Sequence, residues 1–122
     1  MRILIAEDDA ALAKFVSQGL ETEHYEVDVY SDGEQAQAAA NEFDYDLVVL
    51  DLNLPKFSGY QVLERYTRKS VPVVVFTSSR SEVDARCALA LGAREVIQKP
   101  SELRPFRDAV RTIIEKWATR SF

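Results

Sequence analysis

One cysteine, one histidine and one tryptophan occur in 122 residues, alongside four glycines and four prolines. The lone cysteine, Cys87, has no partner for an internal disulfide, which points to a reducing compartment. No low-complexity tract, internal repeat or long linker is present. Long hydrophobic runs are missing too: the opening "RILIA" gives way to "EDD", too short a run for a signal peptide or a membrane span. Positive charge is in the minority, with 15 Lys and Arg against 20 Asp and Glu. A phosphate backbone wants concentrated cations, so direct nucleic-acid binding is not expected. A cytoplasmic protein with no membrane contact is.

Apolar material, by contrast, is plentiful. At 47% hydrophobic and 29% charged residues the chain can build one core and does not have the composition of a disordered segment. Its length predicts a single domain over residues 1–122. "RILIA" (2–6), "LVVLD" (47–51) and "VPVVVFT" (71–77) are near-continuous apolar runs, as in strands covered on both faces of a parallel sheet. "YEVDVY" (25–30) alternates like an edge strand, and "EVIQ" (95–98) is a short fifth. Between them, helical spacing links Leu12, Phe15, Val16 and Leu20; Ala36, Ala39, Ala40 and Phe43; Val62, Leu63 and Tyr66; Val83, Cys87, Ala90 and Leu91. A last helix places Phe106, Val110, Ile113, Ile114 and Trp117 on one side. "SDGE" (31–34), "SGYQ" (58–61) and "SEVD" (81–84) fit the capping-box pattern, and Gly92 stands where a helix end needs a left-handed residue. Strand and helix alternate five times, which predicts a doubly wound α/β sheet with right-handed crossovers.

Such sheets bind ligands outside the carboxyl ends of their strands. Glu7 and Asp8 follow the first strand, Asp51 ends the third, Thr77 ends the fourth and Lys99 follows the fifth. All five converge on that edge. Aspartate is depleted in strands and seldom buried without a partner, so an apolar run ending on Asp51 needs a reason. Three carboxylates in close quarters call for a cation, and an all-oxygen set suits a hard divalent ion such as Mg²⁺. Lys99 adds a point charge suited to phosphate, and Thr77 with Ser78 and Ser79 offers a hydroxyl and backbone N–H groups. A carboxylate beside a divalent ion and a lysine is a known acceptor of a phosphoryl group. Taken singly, each residue has a plainer role: Asp51 a strand end, Lys99 a solvated charge, Thr77 a strand threonine. His24 is expected at the surface, and Cys87 as a small apolar helix residue.

Together, "RILIAEDD", "YDLVVLDLNLP…SG", "VPVVVFTSS" and "LGAREVIQKP" resemble the receiver domain of two-component response regulators over nearly the whole chain. The resemblance implies a flavodoxin-like (βα)5 fold with strand order 2-1-3-4-5. It implies a signalling switch rather than an enzyme with a separate substrate, in which Asp51 takes a phosphoryl group from a histidine kinase or phosphotransfer protein. Mg²⁺ would be held by Asp8 and Asp51 directly, by Glu7 mostly through water and by the Asn53 backbone carbonyl. Thr77 and the Ser78 N–H would bind phosphoryl oxygens, Lys99 would pair with them, and Lys99–Pro100 would be a cis peptide. Asp9 would open the first helix instead of binding the ion. A downstream protein target and a monomer or phosphorylation-dependent homodimer complete the expectation, whether the chain acts alone or within a longer regulator.

Two departures stand out. Val96 occupies a position that is usually aromatic in the family, and Ser101 one that is usually Phe. They predict intact phosphoacceptance with altered transmission, through loop rearrangement or another surface. Rival readings are a degenerate receiver that binds partners without phosphorylation, an FMN-binding module and a small phosphatase. "AEDDAALA" lacks the hydroxyl- and glycine-rich phosphate loop that FMN needs, and Asn53 stands where such phosphatases carry a second carboxylate.

Overall fold

The computed structural model describes residues 1–68 and 70–118. Strand β1 (Arg2–Ala6) leads to α1 (Ala10–Glu21), β2 (Glu26–Tyr30) to α2 (Gly33–Glu42), and β3 (Leu47–Asp51) to α3 (Gly59–Arg65). Then come β4 (Val73–Thr77), α4 (Glu82–Ala90), β5 (Glu95–Gln98) and α5 (Leu103–Ile113), which widens into a π-helical segment, Ile114–Ala118. Among the described residues the five strands form one sheet in the order β2-β1-β3-β4-β5, with every pairing parallel. This is the flavodoxin-like architecture expected from the alternating pattern.

Period-2 alternation sorts the central strands between two cores. Leu4, Val48, Leu50, Val73 and Val75 face Ala36, Ala40, Val62, Leu63 and Ala88 on one side. Ile3, Ile5, Leu47, Val49, Val74 and Phe76 face Val16, Leu20, Phe106, Val110 and Ile113 on the other. Phe76 and Phe106 meet edge to face with ring centroids 4.9 Å apart, a favoured aromatic geometry. Edge strand β2 has no fully buried residue, as its alternating sequence requires.

Several local expectations need correction. Helix α2 is capped by Asp32, whose carboxylate accepts the Gln35 N–H at 2.8 Å, not by Ser31. A Cβ on Gly33 would lie 1.8 Å from the Phe57 carbonyl oxygen. The helix starts one residue later than "SDGE" suggested, and the nearby Phe57 carbonyl leaves room only for glycine at its first position. Ser58 forms the full capping box with Gln61. Ser81 forms only half of one, because the Asp84 carboxylate takes the Ser79 hydroxyl instead of reaching back. The face of α4 is only partly as expected: Leu91 at its end packs against the core and Ala88 is buried, whereas Val83, Cys87 and Ala90 are exposed. Phe43, expected inward on α2, is partly exposed under the Arg2 guanidinium. Trp117 is half-buried, its Nε1–H donating to Glu95 Oε1 at 2.9 Å, which ties the end of the π-helical segment to β5.

Gly92 adopts φ +115° just after α4 and His24, exposed, φ +70° after α1, both in the left-handed region. Among the described residues no peptide is cis, so Lys99–Pro100 is trans, contrary to expectation. Trans is the intrinsically lower form of an X–Pro bond, and here the Lys99 N–H already pairs with the Thr77 carbonyl at 2.7 Å. No helix among the described residues is long and apolar enough to cross a membrane.

Candidate phosphoacceptor and metal site

Backbone pairing carries strands β1 and β3 one residue past their regular ends and thereby places the site. Glu7 N–H donates to Tyr30 O at 3.0 Å, and Leu52 N–H to Phe76 O at 3.2 Å. Side-chain alternation then decides direction. Glu7 continues the Ile3–Ile5 row, Asp51 the Leu47–Val49 row and Lys99 the row begun by Ile97, all on the α1–α5 side. Thr77 continues the Val73–Val75 row and belongs to the α4 side. Strand register thus brings three charged groups together and leaves the threonine at their flank.

Glu7 and Asp51 are 1% and 5% exposed, and Asp8 is open to solvent. One oxygen from each of the three lies within 4.8 Å of the others. Lys99 Nζ contacts Glu7 Oε1 at 2.6 Å and Asp51 Oδ2 at 2.9 Å. The ammonium thus pairs with both carboxylates: it hydrogen-bonds Asp51 Oδ2 and lies in direct ion-pair contact with the buried Glu7 Oε1. Burial raises the Glu7 carboxyl above its usual range, and the Asp51 charge adds to this against Lys99 and the Asp9 N–H. Burial alone would lower the Lys99 ammonium, but Glu7 and Asp51 more than offset it and the net shift is upward.

The outer parts of the site are equally defined. Asn53 N–H donates to Asp51 Oδ1 at 3.0 Å, fixing the carboxylate, while its side-chain amide reaches the Ser78 hydroxyl at 3.4 Å. Asp9 caps α1 by accepting the Leu12 N–H at 3.1 Å and takes no place in the acidic cluster, as expected. Thr77 is buried, and its Oγ1 accepts the Ser79 N–H at 3.0 Å. Ser79 donates its hydroxyl to Asp84 Oδ2 at 2.6 Å and accepts the Ser81 N–H at 3.1 Å. This contact between the Ser79 hydroxyl and Asp84 was not visible in the sequence; "SEVD" marked Asp84 as polar and local but assigned it the wrong partner.

The residues fit a hard divalent cation. All donors are oxygens, and two of the three carboxylates are buried with a single ammonium between them. Beside Thr77 lies a cavity of about 280 Å³ lined by Ser79, Arg80, Ala85 and Val96. The small Val96 side chain leaves this space on the β5 side of α4.

Known proteins agree with this geometry. Residues 3–111 match the response regulator receiver domain profile. The response regulator ArlR of Staphylococcus saprophyticus is 31% identical over 116 residues, covering 94% of this chain and 53% of ArlR. The chain therefore spans about half the length of that relative. Two solved structures cover 99% of this chain and 96% of their own: the Mn²⁺-bound response regulator Rcp1 (30% identity, TM-score 0.82) and the phosphorylated cyanobacterial phytochrome response regulator RcpA (31% identity, TM-score 0.85). The chain belongs to the response regulator receiver domain family of two-component signalling.

Proposed function

We propose that this domain is a phosphorylation-dependent switch in which Asp51 is the phosphoacceptor. The observation that carries the reading is a buried carboxylate at a strand end, held by the Asn53 N–H and an ammonium, with two further carboxylates beside it. An Asp51 oxygen attacks the phosphorus of a phosphohistidine on a kinase or phosphotransfer partner. The new P–O bond forms as the P–N bond breaks, and the electron pair returns to the imidazole, which takes up a proton.

Glu7, Asp8, Asp51 and the Asn53 carbonyl would hold Mg²⁺, which when bound offsets negative charge on the transferring group. Rcp1 has been solved with Mn²⁺ bound and RcpA in a phosphorylated form, which supports both halves of the reading. Lys99 stays in place as the fixed cation. In the structure it pairs with two carboxylates, and after transfer it pairs with the phosphoryl oxygens. Thr77 and the Ser78 N–H supply the remaining hydrogen bonds.

The energetics suffice for a switch. A phosphoryl group adds about -1.5 to -2 charge and three strong acceptors. Hydrogen bonds to charged groups contribute roughly 1.5–3 kcal/mol each, and moving a two-state equilibrium from 1:99 to 99:1 takes about 5.5 kcal/mol. Two or three bonds from Thr77, Ser78 and Lys99 reach that figure. A changed surface would then engage a downstream protein in the cytoplasm.

Intact-protein mass after incubation with acetyl phosphate and Mg²⁺ tests the reading. One phosphoryl mass, labile to hydroxylamine and absent from Asp51→Asn, is the expected result. No adduct on the wild-type protein would favour a receiver that binds partners without phosphorylation.

A further inference from the structure

We propose that Ser79 and Asp84 form the link through which the state of Thr77 reaches helix α4. The inference rests on Asp51 as phosphoacceptor and concerns how its phosphorylation is transmitted.

The contacts are continuous. Thr77 Oγ1 accepts the Ser79 N–H, so any turn of the hydroxyl toward an oxygen on Asp51 removes that acceptor. The Ser79 hydroxyl holds the start of α4 from two directions, donating to Asp84 Oδ2 and accepting from Ser81 N–H. Its 2.6 Å bond to a carboxylate is of the short, charge-assisted kind. Ser81 in turn caps the helix by accepting the Asp84 N–H at 3.4 Å. One serine therefore joins the threonine to both the cap and the first turn of the helix.

Apart from the Tyr60 hydroxyl of α3, which donates to the Asp84 carbonyl at 3.4 Å, that end of the helix has slight packing. Ala88 is the buried residue of α4, and Val83 in its first turn is 58% exposed. The cavity of about 280 Å³ next to Val96 leaves room for the helix start to move toward β5. A bulky side chain at position 96 would fill this space and report the threonine's position sterically. With valine there, the polar link is the route the structure provides. Loss of the Thr77 acceptor frees the Ser79 backbone, and its hydroxyl carries the displacement to Asp84 and the helix cap.

Amide hydrogen exchange over residues 82–90, with and without acetyl phosphate and Mg²⁺, tests this at equal adduct occupancy. Wild-type protein is compared with Ser79→Ala, Asp84→Ala and Ser79→Thr. The phosphorylation-dependent change in exchange should fall at least about fivefold in both alanine variants, the lower end of ordinary coupling factors, and return with threonine. A Ser79 that only supports the loop would alter exchange equally in both states and leave the difference intact, which overturns the proposal. So does a wild-type helix whose exchange ignores phosphorylation. Absence of any wild-type adduct is a different failure, because it removes the phosphoacceptor reading and this inference with it.

Discussion

Lys99 Nζ bridges Glu7 Oε1 at 2.6 Å and Asp51 Oδ2 at 2.9 Å. This ammonium is the only cation among the described residues within ion-pair distance of either carboxylate. Replacing it by methionine leaves two buried carboxylates facing each other. Lys99→Met should lose roughly 2 kcal/mol of stability, below the full cost of breaking a buried pair because the lysine is partly solvated. Millimolar Mg²⁺ should restore much of that, while the rate of adduct formation still falls. Urea unfolding with and without Mg²⁺, beside mass-detected phosphorylation, checks all three outcomes.

The loop after Asp51 depends on a residue with no side chain. A Cβ on Gly59 would lie 2.6 Å from Leu52 Cα and 2.8 Å from the Asp51 carbonyl oxygen. Backbone cannot yield as a flexible side chain does, so Gly59→Ala should cost about 1–3 kcal/mol, the usual range for overpacking. Because the strain falls on Asp51 and Leu52, Mg²⁺ affinity by titration calorimetry should fall as well. A distant change of equal destabilisation should leave it intact.

Helix α4 has a defined inner face. Ala88 is fully buried and Cys87 is exposed. Native protein should therefore react with one equivalent of a thiol reagent at nearly the unfolded rate. Ala88→Leu should destabilise by about 1–3 kcal/mol through overpacking, whereas Cys87→Ser should shift the urea midpoint little.

Tyr66 sets a limit at alkaline pH. It is buried, its hydroxyl donates to Val71 O at 3.2 Å, and burial pushes its pKa up to about 12 despite the nearby Arg68 and Arg94. In the unfolded chain the phenol ionises near its ordinary value of about 10. Below pH 10 both states keep the proton and the stability is fully present. Above it the unfolded state alone loses the proton, so stability falls as pH rises toward 12. That slope amounts to roughly 2–3 kcal/mol at 1.36 kcal/mol per unit. Tyr66→Phe should make the fall between pH 10 and 12 shallower by that amount, leaving the part due to Tyr45 and Tyr60, whose phenols burial also raises.

Much of this molecule was legible in its sequence because two strong periodicities carried the information. Continuous apolar runs located the central strands, alternation marked β2 as an edge, and the strand-end positions of Glu7, Asp51, Thr77 and Lys99 came from those. Errors arose where a local pattern had two physical solutions. Ser31 and Asp32 both make good caps, and only in the folded chain does the Asp32 carboxylate meet the Gln35 N–H. On α4 the spacing of Val83, Cys87 and Ala90 is helical, yet the sheet selects Ala88, because a small residue lets the helix lie close. The trans Lys99–Pro100 bond and the Ser79–Asp84 contact depend on tertiary placement, which no short motif encodes.

The central claim is chemical and positional: the phosphoryl group resides on Asp51. Borohydride reduction of the acetyl phosphate-treated protein, followed by peptide mapping, tests it most directly, because an aspartyl phosphate reduces to homoserine. Homoserine at position 51, formed only with Mg²⁺ present, is the predicted result. Conversion at Asp8 instead, or an adduct with none at position 51, would contradict the account.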